Sequence, residues 1–362
     1  MNVAIVHDWL NQIGGAESVL EVLHEMYPQA PIYTSMYAPG RMPAGYGAWD
    51  IRTSFMQRLP GVASHHQAYL PLYPLAFEQF DLSGYDLVVS NASGFCKGVI
   101  TRADAVHLCY CLTPSRFLWA YPDYVARERL GRLPRLLLPP ILSYLRMWDR
   151  LAADRVDAFA AISTAVQRRI RKFYGRDSVV IYPPVGEEAF QPVASPEEGE
   201  YFLSVGRLIP YKRVDLAVRA FNELGLPLLV IGDGRDRPRL ERLAASNIRF
   251  LGRVSGEEKR RYLAGCRAFI FPAEEDFGIA PLEAQAAGKP VIAYAAGGAL
   301  DTVREGVTGT FFHEPTPESL AQAVRRFDPG LYDPAACVAN ARRFDTRAFK
   351  QSWQAFVDSH LA

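Results

Sequence analysis

Short apolar runs rich in β-branched residues alternate along this chain with stretches whose apolar positions recur every three or four residues. Val3-Ala4-Ile5-Val6 is the first such run and reads as a buried parallel strand. A loop holding Gly14-Gly15 follows, and then AESVLEVLHEM has helical spacing. Strand, glycine turn and helix form the first half of a β-α-β unit. Apolar runs at 31–35, 86–89, 106–110 and 158–161 continue the alternation. Ser163-Thr164 gives an N-cap signal before the helical AVQRRIRKFY. The run at 178–182 ends in Pro183-Pro184, which neither a helix nor a central strand tolerates well.

After the polar stretch QPVASPEEGE the pattern restarts. Residues 201–205 read as a strand, Gly206-Arg207 as a turn and 213–224 as a helix. A strand at 228–231 leads into Gly232-Asp233-Gly234, and further strands are predicted near 248–251, 268–271 and 290–293. The closing DTRAFKQSWQAFVDSHL is helical by periodicity. The expectation is α/β: two tandem Rossmann-like domains, 1–184 and 185–344, with ligand at the carboxyl ends of the strands in a cleft between them. The boundary falls in the 184–200 segment, which would serve as the hinge of a closing motion.

Composition agrees with two domains of ordinary size. The chain has 362 residues, 49% of them hydrophobic and 22% charged. A formal charge of +1 gives no global field that would attract nucleic acid. The five cysteines, Cys96, Cys109, Cys111, Cys266 and Cys337, are scattered without zinc-type spacing and read as reduced, buried thiols. The opening MNVAIVHDWL does not read as a signal peptide, and no apolar run reaches the roughly 20 residues that span a bilayer. A cytoplasmic protein, or a peripheral one on the inner face of the plasma membrane, is expected.

Three motifs carry chemistry. In Glu275-Asp276-Phe277-Gly278-Ile279-Ala280-Pro281-Leu282-Glu283, a carboxylate at a strand end precedes a glycine and a helix start. Helix-start amides attract a phosphate, one carboxylate can reach sugar hydroxyls and the other a ribose. On the residues alone, Glu275 and Asp276 fit solvated loop acids equally well, and Glu283 a helix-surface position. Gly206-Arg207-Leu208-Ile209-Pro210-Tyr211-Lys212-Arg213 places two fixed positive charges, Arg207 and Lys212, after a strand-end glycine. A diphosphate leaving group needs such charges, although a solvated basic loop is the commoner fate of the pattern. Gly14-Gly15-Ala16-Glu17 can cradle a phosphate or make room for a sugar; it also suits a plain tight turn. There is no G-x-G-x-x-G and no Walker lysine, which counts against NAD and ATP.

These motifs, in this order and in two β/α domains, resemble glycosyltransferase family 4 with the GT-B fold. The best-matched part runs from Tyr201 to about Phe312 and includes SVGRLIPYKRVDLAV, VIGDGRDRPRL, IRFLGRVS, EDFGIAPLE and AAGKPVIAYAAGGALDTV. VHDWLNQIGGAESVL and YCLTPSRFLW look like the branch of bacterial O-antigen and exopolysaccharide mannosyltransferases. The resemblance implies a retaining hexosyltransferase that uses a nucleotide-sugar, GDP-mannose favoured, with no cofactor and no metal ion. Arg207 and Lys212 would clamp the diphosphate and Glu275 would face the transferred sugar. Gly206, Phe277, Gly278 and Ile279 would lie at the donor, with Gly278 and Ile279 offering backbone groups near its phosphates. Glu283 would hold the ribose, Arg253 and Val254 would lie beside the base, and Gly15 would line the cleft opposite the phosphates. It also implies that the helix at 345–362 crosses back onto the N-terminal domain.

One departure stands out. Leu112 occupies a position where the branch often has His, a residue that contacts the reacting sugar in relatives. His7, Gly14, Glu17 and His107 are candidate sugar or acceptor contacts, although a lone strand histidine such as His107 is more often a satisfied core residue. Residues 126–150 interleave Arg127, Arg129, Arg132, Arg135, Arg146 and Arg150 with Leu, Ile and Trp, and suit an anionic leaflet beside a lipid-linked or polysaccharide acceptor. Pro139-Pro140 is expected to interrupt any long helix there. Rival readings are a nucleotide-sugar epimerase, a GT-B enzyme with a soluble acceptor, and a decayed sugar-nucleotide-binding protein.

Overall fold

The computed structural model describes residues 1–120, 132–193 and 199–361. Arg127 and Arg129 of the basic segment, and 194–198 of the expected hinge, lie outside the described residues. By internal contacts the chain divides into Met1–Pro184 with Phe349–Ala362, here unit 1, and Val185–Ala348, here unit 2.

Unit 1 is built on β1 (Val3–His7), β2 (Ile32–Thr34), β3 (Ile51–Thr53), β4 (Leu87–Ala92), β5 (Val106–Cys111), β6 (Ala158–Ala161) and β7 (Val179–Val180). They pair in parallel in the order β3-β2-β1-β4-β5-β6-β7. β4 is buried along its whole length, Ser90 and Asn91 included, and its Leu87-Val88-Val89 run is the part that reads as a strand; helices cover both faces of such a sheet. The chain leaves β1 toward β2 and β3, then returns to β4 on the other side. The β1/β4 boundary is therefore the switch point, and His7 at the end of β1 sits in register with Asn91 near the end of β4.

Among the helices of unit 1 are α1 (Gly15–Met26), α2 (Arg132–Asp154) and α3 (Thr164–Tyr174). Pro139 and Pro140 do not stop α2; it runs through both. The reason lies beyond them, where Leu142, Leu145, Trp148, Asp149, Ala152 and Ala153 are buried. That packing outweighs a backbone cost of about 3 kcal/mol or more per internal proline. The five cysteines are free and buried.

Unit 2 carries β8 (Phe202–Val205), β9 (Leu228–Ile231), β10 (Ile248–Gly252), β11 (Phe269–Phe271), β12 (Val291–Tyr294) and β13 (Gly309–Phe312). The sheet is parallel, in the order β10-β9-β8-β11-β12-β13, so its switch point lies between β8 and β11. Around it pack α4 (Val214–Leu224), α5 (Arg237–Leu243), α6 (Gly256–Gly265), α7 (Ile279–Ala286), α8 (Pro317–Arg326) and α9 (Pro334–Arg342). The final helix, α10 (Thr346–Leu361), buries Phe349, Trp353, Phe356 and Val357. The Phe349 and Trp353 rings lie edge-on to Tyr110 of β5, with centroids 5.5 and 5.8 Å away. Two strands lack a sequence signal. β3 has an exposed central arginine, and β13 opens on Gly309, where an added Cβ would lie 2.0 Å from the Val291 carbonyl oxygen.

Candidate functional site

The switch point of unit 2 gathers its two charged motifs. The segment after β8 carries Gly206, Arg207 and Lys212; the segment after β11 carries Glu275 through Gly278. Each is braced by a glycine loop that only a missing side chain permits. A Cβ on Gly232 would lie 1.9 Å from the Gly206 oxygen, and one on Gly298 would lie 2.2 Å from the Phe277 Cα. Backbone bonds complete the bracing, with Gly206 N donating to Ile231 O at 3.0 Å and Gly298 N to Glu275 O at 2.9 Å. The 206–213 segment ends at Arg213 with φ +50, the one positive φ at a non-glycine among the described residues. Such backbone persists where the surroundings fix it, and it clusters at functional sites.

Lys212 Nζ donates to Glu275 Oε2 in a direct ion pair. Both side chains are partly reachable, at 19% and 16% exposure. Arg207 is exposed. Gly278, at φ +92, opens α7 with no side-chain cap on the first amides of the helix. Its Cβ would meet Phe271 Cζ at 2.6 Å, so glycine is required twice over at this position. Ile279 is the first residue of α7, and an anion placed there meets the amides and the positive end of the helix dipole. The Phe277 ring, read above as lying at the donor, is buried against Phe344 with centroids 5.8 Å apart and packs in the core of unit 2.

Glu283 stands one turn further along α7, and Lys259 of α6 donates to its Oε1 at 2.8 Å. Sequence reasoning missed Lys259, because 24 residues separate the partners. The pair borders a cavity of about 420 Å³ lined by Phe190, Leu263, Ala287 and Val338 among others. Arg253, exposed, and Val254, half-buried, connect β10 to α6, which starts on a capping box between Ser255 and Glu258.

The switch point of unit 1 is arranged otherwise. Gly14 and Gly15 are exposed at the start of α1, while His7 and Glu17 are buried. His7 Nε2 lies 3.5 Å from Glu17 Oε1, and its Nδ1 is 3.3 Å from Asn91 Nδ2. Asn91 also donates to the Ala16 carbonyl at 2.8 Å. His7 and Glu17, read above as candidate sugar contacts, thus tie the glycine turn to β1 and β4. His107 is corrected more strongly. It is the second residue of β5, at the amino end of the sheet, fully buried and 3.0 Å from Ser90 Oγ through Nε2. Burial pushes its pKa down to about 4, so it is a neutral core imidazole. Leu112 does sit at the carboxyl end of β5, buried, with its N–H on Ala92 O at 2.7 Å.

Residues the sequence did not single out dominate this unit's electrostatics. Asp8, directly after β1, is 1% exposed. Lys97 pairs with Asp149, at 1% and 0% exposure. Asp149 also accepts from Trp119 Nε1 at 2.7 Å and Tyr174 OH at 3.0 Å. Burial alone would lower the Lys97 pKa; the Asp149 carboxylate outweighs it and holds the ammonium charged. Among the described residues, no three His, Cys, Asp or Glu side chains converge as a metal ion would require.

Comparison with known proteins places these geometries. Residues 185–343, nearly all of unit 2, match the family model of Glycosyl transferases group 1. Human alpha-1,3/1,6-mannosyltransferase ALG2 is 27% identical, over 96% of this chain and 94% of its own. An uncharacterized glycosyltransferase of Methanocaldococcus jannaschii, MJ1178, is 27% identical over 49% of this chain; the match spans 52% of that relative. A GDP-mannose-dependent monoacylated alpha-(1-6)-phosphatidylinositol monomannoside mannosyltransferase of Corynebacterium glutamicum is 30% identical, over 42% of this chain and 48% of its own. Among solved structures, Anabaena Alr3699/HepE in complex with UDP superposes with a TM-score of 0.72, at 18% identity, covering 99% of this chain and 100% of that one. Sucrose-phosphate synthase of Thermosynechococcus elongatus gives 0.76 at 17% identity, covering 100% and 99%. The two units therefore have the parallel-sheet, Rossmann-like fold of GT-B glycosyltransferases, and the match to Glycosyl transferases group 1 covers residues 185–343, a little under half of the chain.

Proposed function

We propose that this chain is a retaining, metal-independent hexosyltransferase whose unit 2 binds a nucleotide-sugar and whose unit 1 binds the acceptor. The observation that carries the reading is the unit 2 switch point. A part-exposed Lys212–Glu275 pair, Arg207 and the uncapped start of α7 come together there, within the residues that match the group 1 family. Lys212 and Arg207 meet the charge that develops on the departing diphosphate, and the α7 amides add to it. Glu275 holds the sugar hydroxyls and Glu283 the ribose. The anomeric C–O bond to the diphosphate breaks as the acceptor oxygen approaches on the same face, and the acceptor proton passes to the leaving phosphate. The protein contributes positioning and electrostatics rather than a nucleophile.

The donor is GDP-mannose. Support comes from relatives whose names specify mannosyl transfer, one of them GDP-mannose-dependent; the UDP held by the Anabaena protein makes UDP-sugars the competing donors. The acceptor is a lipid-linked or polysaccharide glycan, met at the inner leaflet. Support is the exposed row Pro140, Tyr144, Met147 and Leu151 on α2, in the sequence that continues the arginine-rich stretch 126–150. No helix among the described residues is long and apolar enough to cross a membrane.

The test is nucleoside-diphosphate release from a panel of GDP- and UDP-sugars, with and without a lipid-linked acceptor extract, for wild type and Glu275→Ala. Release from GDP-mannose, raised by the extract and lost in the variant, is expected. Binding without release from any donor would leave a sugar-nucleotide-binding protein instead.

A further inference from the structure

Four consecutive backbone amides converge on the side chain of Asp8. Ser93 N and Gly94 N donate to Oδ2, both at 2.7 Å. Phe95 N and Cys96 N donate to Oδ1 at 2.6 and 2.9 Å. Ser93 Oγ adds a fifth bond at 3.1 Å. Successive N–H groups wrapped around one point form a concave anion nest of the kind that holds phosphates. This nest follows β4 at the β1/β4 switch point, where an open α/β sheet places its ligand. In unit 1 the anion is the chain's own carboxylate.

The loop is fixed from its carbonyl side as well. Lys97 Nζ and Ser115 Oγ each donate to Gly94 O at 3.3 Å. Lys97 is in turn held by buried Asp149. Every charge of this cluster is therefore spent inside the unit, and no phosphate can displace Asp8 without stranding a buried carboxylate.

We propose that Asp8 is the resident anion of unit 1, a positioning and specificity residue that fills the nest, sets the Ser93–Lys97 loop and closes this switch point to phosphoryl groups. Contacts with the acceptor beside this loop are accordingly left to hydroxyls rather than phosphoryl groups, which fits the glycan acceptor proposed above. The inference rests on the reading of unit 1 as the acceptor side.

The experiment uses the full chain with Asp8→Asn, Asp8→Ala and Gly94→Ala, and measures acceptor KM, donor KM and kcat. Asp8→Asn keeps the size but cannot accept all the amides; it raises acceptor KM about tenfold or more while donor KM stays within about twofold, the loss of one to two charge-assisted bonds. In Asp8→Ala, added formate refills the nest and restores acceptor KM, and inorganic phosphate competes with acceptor as it does not in wild type. Gly94→Ala covers the case of Asp8 variants that fail to fold. Its new Cβ sits 3.0 Å from Asp8 Oδ1 and 3.3 Å from Trp9 Cζ3, so it nudges the nest with Asp8 in place and raises acceptor KM selectively. Unchanged acceptor KM in the variants that fold, a parallel rise in donor KM, or indifference of Asp8→Ala to both formate and phosphate overturns the proposal. Absence of donor release by wild type is a different failure and removes the transferase reading itself.

Discussion

At the carboxyl end of β1, Asp8, the Lys97–Asp149 pair and the His7–Glu17 pair are all buried. At the carboxyl end of β8 and β11, the Lys212–Glu275 pair keeps part of its surface, and Lys259–Glu283 keeps more. The two sheets share a strand order around their switch points, 3-2-1-4-5-6 in each case, with one further strand in unit 1. Topology alone would give both units the same phosphate-ready crevice. The difference is who supplies the countercharge. Unit 1 neutralises its amides and Lys97 internally; unit 2 pairs Lys212 and Lys259 with carboxylates in part-exposed ion pairs. A shared fold thus yields one switch point locked by its own charges and one suited to a charged donor.

That contrast breaks most visibly where a buried charge loses its partner. Lys97→Met leaves Asp149 buried and unpaired and should cost about 3–5 kcal/mol in urea unfolding. The double change Lys97→Met with Asp149→Leu should cost clearly less, because no bare charge remains. In unit 2 the corresponding change touches rate before stability. Lys212→Ala should lower kcat about 10²–10³-fold in the nucleoside-diphosphate release assay, with a small change in unfolding midpoint. A Lys212→Ala protein that unfolds as readily as Lys97→Met would erase the distinction. Gly278→Ala tests the backbone of the unit 2 site. With φ +92 and a Cβ 2.6 Å from Phe271, it should lose about 1–3 kcal/mol of stability and weaken donor binding together.

The last effect shows only at acid pH and concerns the amino end of the unit 1 sheet. Burial lowers the His107 pKa to about 4 from the ordinary 6.5. The folded pKa lies below the unfolded one, so the unfolded chain takes up a proton first. Stability attributable to His107 is then whole above the unfolded pKa and falls as pH drops from about 6.5 toward about 4, with a slope approaching ~1.4 kcal/mol per pH unit. Comparing pH-dependent urea midpoints of wild type and His107→Gln checks this; equal slopes would contradict it.

Much of unit 2 was legible because its signals are local. A strand-end glycine, two cations within six residues and an acid–glycine–helix run are all read from contiguous sequence. What escaped was set by distance along the chain. The Asp8 amides lie 85–88 residues away, Lys97 and Asp149 are 52 apart, and Lys259 meets Glu283 across two helices. No periodicity or spacing rule connects such pairs. β3 and β13 escaped for another reason, since an arginine and a glycine dilute three- and four-residue runs whose pairing depends on neighbouring strands. Pro139-Pro140 misled because propensity is local, while the packing of Leu142, Leu145 and Trp148 is not.

The central claim is that unit 2's switch point, and not unit 1's, receives the donor's diphosphate. Calorimetric titration of GDP into the full-length wild type, Lys212→Ala and Asp8→Asn tests it directly. The account predicts a Kd raised about tenfold or more by Lys212→Ala and changed less than about twofold by Asp8→Asn. Equal affinity in wild type and Lys212→Ala, or a loss confined to Asp8→Asn, would contradict it.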